Sequence, residues 1–344
     1  MMRKIVFIIG MLLCILLVVF NADAAAAARE GFLLWQNAVL PSLLPFFVCT
    51  SLLQRTGVLP PYCKAGLFIL SFTSGAPSGA RLCGNAEDST DNTALIASLN
   101  VVSPMFIISG FCTQMLGIPA MAWPILIAQF ISSLCMLLVI ICKKRPMPSC
   151  SGASAPLSLV DCIKDAMNAM LNICGMIVVF MVAIRLLDKT CVLDVLAYPI
   201  AWLLSIFKFP ADVAKVLLVG SIEMVNGCHA LSSIHASTPV TAFVGAFLFS
   251  FGGLCIMAQS MVFAHIKPIK YLLFKFIQGT LSALIASIIC PWFMRDVSAF
   301  LPFNEQELIN NSISAAAVFA SSLLGIAVVM LFCASVRKHH ISKS

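Results

Sequence analysis

The apolar residues of this chain form long blocks that are separated by short polar stretches. The predicted spanning helices are 4–21, 42–57, 93–116, 119–142, 172–187, 238–264, 271–294 and 312–336. Most of these blocks approach or exceed the length that a membrane-spanning helix needs, about 20 residues. Two further regions, about 64–91 and 194–236, are apolar but interrupted by polar residues. The pattern predicts an all-α polytopic membrane protein with about eight spanning helices.

The composition fits this class and gives a topology. Of the 344 residues, 61% are hydrophobic and 10% are charged, which leaves no sizeable soluble domain. The net charge of +7 therefore reflects membrane orientation, and we expect no nucleic-acid partner. With a cytoplasmic N-terminus, fifteen of the 21 basic residues, Lys275 among them, fall on the cytoplasmic side. We expect a cell-membrane protein with both termini in the cytoplasm.

The first block is typical of either a retained helix or a cleavable signal peptide. It has a basic start, an apolar core and a small-residue Ala22-Asp23-Ala24 stretch. We favour a retained helix because the charge count then works for the whole chain.

The chain contains an internal duplication. The stretch 52–59 (LLQRTGVL) recurs as 186–193 (LLDKTCVL), at a shift of 134, and Pro119 recurs as Pro268, at a shift of 149. The shift grows because about 14 residues matching 194–207 are absent from the first copy. The two copies start on opposite sides of the membrane, which predicts inverted repeats, a common architecture of secondary transporters.

The duplication divides the chain into segments. These are an N-terminal helix 1–28, a first repeat 29–142, a cytoplasmic linker 143–155, a second repeat 156–294, and a final part 295–344 comprising an external loop, a last helix and a basic cytoplasmic tail. Each repeat is predicted to begin with an interfacial amphipathic helix, at 29–40 and 156–171.

The interrupted regions predict two re-entrant hairpins. The stretch TSGAPSGARL at 73–82 aligns with SIEMVNGCHA at 221–230, and Gly and Pro favour tight reversals. A surface loop is the alternative for the first, because the following EDSTDN is polar. Glu223 is a functional cavity residue or a structural tip carboxylate, and Gly252 and Gly253 unwind a helix or pack against another one. The candidate solute-binding residues are Gly75, Ser78, Gly79, Asn100, Ser103, Glu223, Asn226, Gly227, Gly252, Gly253 and Gln259.

Catalytic and metal-binding signatures are absent from the sequence. It has no HExxH, GxSxG, Walker or CxxC motif and no Cys/His cluster with metal spacing. We therefore expect no enzyme, no catalytic residue, no cofactor and no metal site. The expected partners are the lipid bilayer and a small polar solute, with a coupling cation as a candidate second ligand.

Several stretches together resemble the YlbJ family of bacterial sporulation integral membrane proteins, from about 25 to 289. They are EGFLLWQNAVLPSLLPFF, SGAPSGARL, NVVSPMFI, IEMVNGC and FSFGGLCIMAQ. The resemblance implies a role in spore cortex formation without a known substrate. This family in turn resembles nucleoside-recognition "gate" domains and the hairpin core of concentrative nucleoside transporters, where polar tips and an unwound helix bind the nucleoside. We expect a transporter-like protein for a small polar solute, nucleosides being one candidate class; a non-transporting sporulation scaffold or sensor is the alternative.

Overall fold

A computed structural model describes residues 2–56, 64–83, 91–142 and 158–294. All regular secondary structure in these ranges is helical, which confirms the predicted all-α class. The predicted linker 143–155 and the final part 295–344, including the span 312–336, lie outside the described residues.

Fourteen α-helices make up most of the described chain. They are α1 Met2–Val19, α2 Asn21–Leu34, α3 Leu40–Arg55, α4 Lys64–Ser74, α5 Ser78–Cys83, α6 Thr93–Leu99, α7 Ala122–Cys142, α8 Leu159–Lys189, α9 Val192–Ser205, α10 Asp212–Ile222, α11 Met224–Ser233, α12 Thr238–Phe251, α13 Gly253–Phe263 and α14 Pro268–Met294. A π-helical turn at Trp35–Val39 joins α2 to α3, a longer π helix spans Phe106–Met115, and a 3₁₀ turn at Pro119–Met121 precedes α7.

Five helical stretches of the described chain are long and apolar enough to cross a membrane. They are Asn21–Leu53, Pro119–Ile140, Leu159–Lys189, Thr238–Phe263 and Pro268–Met294. The protein is therefore a multi-pass membrane protein. The total of about eight crossings stays a prediction.

The two predicted interfacial helices are not separate helices. Residues 29–40 lie within the continuous stretch Asn21–Leu53, and 159–171 form the first part of α8. Their polar side chains serve the packing of α2 and α3 against α8. Arg185 Nη2 pairs with Glu30 Oε2 at 2.6 Å, and Arg55 Nη2 pairs with Asp165 Oδ2 at 2.8 Å. The interfacial position of these residues stays a prediction.

Two pairs of helix ends are related by the shifts of the predicted duplication. α4 ends at Ser74 and α10 ends at Ile222, which is a shift of 148. Arg55 and Lys189, which end the preceding helices α3 and α8, are related by the smaller shift of 134. The second copy is therefore longer at this connection by the length of the predicted deletion, and α9 fills the added chain.

One tertiary contact also recurs. A Cβ added at Gly79 would meet the Asn100 Oδ1 atom at 2.8 Å, and one added at Gly227 would meet Leu248 Cδ1 at 3.2 Å. The shift of 148 relates Gly79 to Gly227, and the same shift relates Asn100 to Leu248. The duplication and the inverted orientation of its two copies across the membrane stay predictions.

Candidate functional site

The first hairpin consists of α4, a turn at residues 75–77, and α5. Gly75 has φ +75°, a left-handed conformation that glycine adopts without steric cost. The turn is held to the rest of the protein because Ala76 N donates to Val101 O at 2.7 Å. The stretch 73–82, for which a surface loop was the alternative to a hairpin, is therefore a helical reversal packed against α6.

The second hairpin consists of α10, Glu223 and α11. Glu223 is extended, with φ −139° and ψ 119°, and it is 5% exposed. Its Oε1 accepts from Val225 N at 3.1 Å and its Oε2 accepts from Asn226 N at 2.7 Å. A carboxylate suits this position because it satisfies amides that the first helical turn leaves free. Glu223 thus caps α11 at the tip.

Each hairpin packs beside a broken helix. The first break is the irregular stretch after α6, residues 100–103. The second break lies between α12 and α13, where Gly252 and Gly253 have φ +80° and +79°. Gly253 lies against the end of α10, and a Cβ there would be 3.0 Å from Gly220 O. The predicted unwinding at Gly252 and Gly253 is therefore present, and Gly253 also serves close packing.

Both tips, the first break and α13 meet at one cavity. Its volume accessible to a water-sized molecule is about 70 Å³. Polar groups enter it from the first tip, the second tip, the first break and α13; they are Ser74, Gly75, Ser103, Glu223 and Gln259. The rest of the wall is apolar and includes Phe47, Phe106, Met176 and Ile256. An apolar wall with a few convergent polar groups is typical of a site for a small organic ligand.

The structure separates the predicted solute-binding residues into two groups. Four of them line the cavity: Gly75, Ser103, Glu223 and Gln259. The others, which lie outside this lining, are Ser78, Gly79, Asn100, Asn226, Gly227, Gly252 and Gly253. Sequence reasoning missed the apolar wall, because Phe47 and Met176 resemble ordinary lipid-facing or core residues in an apolar block.

The amides Asn100 and Asn226 hold helices together. Asn100 Oδ1 accepts from Ala80 N at 3.2 Å, and its Nδ2 donates to Ser260 Oγ at 2.7 Å and Tyr271 OH at 3.2 Å. Asn226 Nδ2 donates to Ile177 O at 3.3 Å. Asn100 therefore links the first hairpin, α13 and α14, and Asn226 links the second hairpin to α8.

Lys275 is a buried residue that sequence reasoning places elsewhere. The charge pattern assigns it to the cytoplasmic basic residues, but it is 0% exposed inside α14. The basic count on the cytoplasmic side therefore falls from fifteen to fourteen, and the predicted orientation does not depend on it. The sequence does contain a sign of this burial. One face of the apolar helix α14 carries polar residues at helical spacing, which are Tyr271, Lys275, Gln278 and Ser282. All four are 0% exposed.

The described residues contain no group of three or more His, Cys, Asp or Glu side chains placed to hold a metal ion. The chemistry available at the cavity is thus that of hydroxyls, an amide, a capped carboxylate and apolar surface.

Comparison with known proteins finds a curated relative that covers most of the chain. The chain is 24% identical over 314 residues to the sporulation integral membrane protein YlbJ of Bacillus subtilis (strain 168), and the match covers 76% of each protein. The similarity supports the YlbJ family for this chain. No family model matches the chain, and no solved structure matches it. The further resemblance of the YlbJ family to nucleoside-recognition domains stays a prediction.

Proposed function

We propose that this chain is a sporulation-related membrane protein that binds a small solute in the cavity between its hairpins and moves it across the membrane. Sporulation and the membrane come from the name of the YlbJ relative. The single observation that supports solute binding is the convergence of both hairpin tips, the first break and α13 on one cavity. We place the protein in the cell membrane with both termini in the cytoplasm, and we propose no enzymatic role.

The backbone supports a binding role over simple helix packing. Irregular backbone at membrane depth is tolerated where protein buries it or where it lines a water-filled cavity. Here the Gly75 turn, the Ser103 region and the Glu223 tip all border the same cavity. Discontinuous helices arranged around such a site are typical of secondary transporters.

The lining indicates the class of solute. Phe47 and Phe106 offer apolar faces, whereas Ser103, Glu223 and Gln259 offer hydrogen-bonding groups. An amphipathic solute with a flat ring and several polar groups fits this chemistry, because aromatic walls bind ring faces and buried polar groups need partners. Nucleosides belong to this class.

One observation favours a second candidate function, a non-transporting scaffold or sensor. Both oxygens of Glu223 are already bonded to Val225 N and Asn226 N, and all polar side-chain atoms of Asn100 have protein partners. A rigid tip of this kind suits a protein that binds a ligand or partner without cycling between two conformations.

The binding proposal is tested with the purified full chain and a panel of nucleosides, nucleobases and other small amphipathic solutes. A ligand that binds only the folded state raises the melting temperature in a concentration-dependent way, by mass action. We expect at least one ring-containing polar solute to do so for the wild type.

A matched pair of variants locates the binding site. Met176→Trp places a large ring in the cavity, whereas Leu171→Trp places the same ring on the exposed face of the same helix, α8. We expect Met176→Trp to lose the ligand-induced shift and Leu171→Trp to keep it. Equal shifts in both variants would mean that the solute binds elsewhere.

Uptake into proteoliposomes then separates transport from sensing. A solute that binds and accumulates inside vesicles supports the transporter, and Met176→Trp should abolish that uptake. A solute that binds without being taken up by wild-type vesicles supports the sensor.

A further inference from the structure

Lys275 carries the only buried ammonium group among the described side chains. It lies within α14, one of the helices long and apolar enough to span a membrane, and it is 0% exposed. No carboxylate of the described residues lies within 4 Å of its ammonium nitrogen. A buried cation is costly unless strong acceptors surround it. The acceptors here are therefore informative about its role.

The ammonium group binds the first break. Lys275 Nζ donates to the main-chain oxygen of Asn100 at 2.6 Å and to Gln278 Oε1 at 3.3 Å. Asn100 directly follows the last residue of α6, where the helix stops and its carbonyl groups lose their helical partners.

Three different elements supply donors to this one stretch of backbone. Asn100 O accepts from Lys275 of α14, Val101 O accepts from Ala76 N of the first tip, and Val102 O accepts from Gln129 Nε2 of α7 at 2.9 Å. The three consecutive carbonyl groups of the first break are thus all bonded to the protein itself.

Freed carbonyl groups at the end of a half-helix are, in many transporters, the ligands of a dissolved Na⁺ ion. An ammonium group carries the same charge, and its N–H donors bind carbonyl oxygens. We propose that Lys275 is a tethered cation: its ammonium group takes the place at the first break that a dissolved alkali ion would otherwise occupy.

The duplication shows that this arrangement belongs to one copy. At the two shifts that relate the copies, 148 and 149, Lys275 corresponds to Ile127 and Leu126 of α7, which packs against α12. Both are apolar, and the second break has the glycine pair Gly252-Gly253 instead. The first half is therefore assembled around a lysine side chain that the second half lacks.

The consequence is that the first half folds without a dissolved cation. Any coupling ion must then bind outside the first break. This inference concerns the stability of the protein, so it stands or falls independently of the proposed transport.

The test compares melting temperatures of the purified full chain in NaCl, KCl, methylammonium chloride and choline chloride at equal ionic strength. We expect the wild type to melt at the same temperature in all four salts. Lys275→Ala should melt lower, by about 2–4 °C, because it leaves Asn100 O without a donor. Na⁺, K⁺ or methylammonium should restore part of this loss in a saturable way, and choline should not.

Two further variants serve as controls. Lys275→Met fills the space with an apolar chain and leaves no room for an ion, so no salt should rescue it. Lys164→Ala removes an exposed lysine from α8 and should behave as the wild type in every salt.

Three results would overturn the proposal. The first is saturable stabilisation of the wild type by Na⁺ or K⁺ over choline. The second is a Lys275→Ala variant that is as stable as the wild type or that no cation rescues. The third is a Lys275→Gln variant with wild-type stability, because glutamine is a neutral donor and the charge would then not be needed. This result can be obtained even if Lys275→Ala does not fold.

Discussion

The arms of the second hairpin approach each other most closely at Gly227. A Cβ added there would lie 2.2 Å from the Cα atom of Gly220 and 2.8 Å from its backbone nitrogen. Ordinary van der Waals contacts of a Cβ atom begin at 3.4 Å, so the two arms would have to move apart. Because the obstacle is backbone, no side-chain rotation relieves it. We therefore expect Gly227→Ala to open the hairpin and move the Glu223 tip.

The size of the effect follows from two opposing terms. Forced overpacking costs about 1–3 kcal/mol, and a backbone clash belongs at the upper end. Replacing Gly by Ala within a helix returns about 1 kcal/mol. The net loss of about 2 kcal/mol corresponds to a melting temperature about 3 °C lower in a chain of this length. Gly175→Ala is the matched control, because a Cβ at this position of α8 meets nothing within 4 Å. It should be as stable as the wild type or slightly more so.

The assay is thermal unfolding of the purified full chain, followed by size-exclusion chromatography. A second pair of variants tests the geometry itself. At Gly220 the added Cβ would meet only the Leu248 side chain, with Cδ2 at 2.4 Å. Leu248→Ala should therefore relieve Gly220→Ala but not Gly227→Ala, as a non-additive double mutant. The reasoning is refuted if Gly227→Ala melts with the wild type, or if Leu248→Ala rescues it fully.

Three other predictions concern function, pH and topology. Glu223→Gln keeps one cap acceptor, so the protein should insert and express almost normally. The transporter proposal predicts that this variant and Glu223→Leu both fail to restore heat-resistant spores in a spore former lacking its own copy, whereas restoration would favour the scaffold. Burial raises the pKa of Asp91. The hydrogen bonds from Lys270 and Thr93 lower this pKa by a larger amount, so it lies below its ordinary value of 3.8. Asp91 therefore stabilises the folded state fully at a pH above its ordinary pKa. This stabilisation is lost as the pH falls through the lowered pKa of the folded state. Asp91→Asn should melt below the wild type at neutral pH, and the difference should shrink below about pH 4. In a cysteine-depleted background, a cysteine placed at Ser149 should be labelled only from the cytoplasmic side; labelling from outside would contradict the inverted repeats.

The sequence by itself determined the helical class and the positions where helices stop. A bilayer leaves unpaired backbone groups unsatisfied, so apolar blocks of sufficient length must be helical. Glycine is the residue that tolerates a left-handed backbone, and Gly75, Gly252 and Gly253 all adopt it. The bend at Glu223 was readable because a lone carboxylate within an apolar stretch needs donors, and the next helical turn provides them.

Only the tertiary structure decided which of these residues share a cavity. Gly75 and Glu223 belong to different hairpins, and their meeting depends on α13, which packs against both hairpins. Local sequence did not distinguish Gln259, which lines the cavity, from Asn100, which is bonded on every side. The difference lies in the neighbours that other helices bring.

Lys275 shows the same limit most clearly. A lysine near the start of a spanning helix is usually at the membrane surface, and the charge pattern favours that interpretation. Its burial is decided by the carbonyl group of Asn100, 175 residues away, which the break after α6 frees and which the packing of α14 against α6 brings within 2.6 Å. Local sequence specifies where backbone groups are freed, because that depends on adjacent residues. Which donor binds these backbone groups depends on long-range packing, which cannot be read from the local sequence.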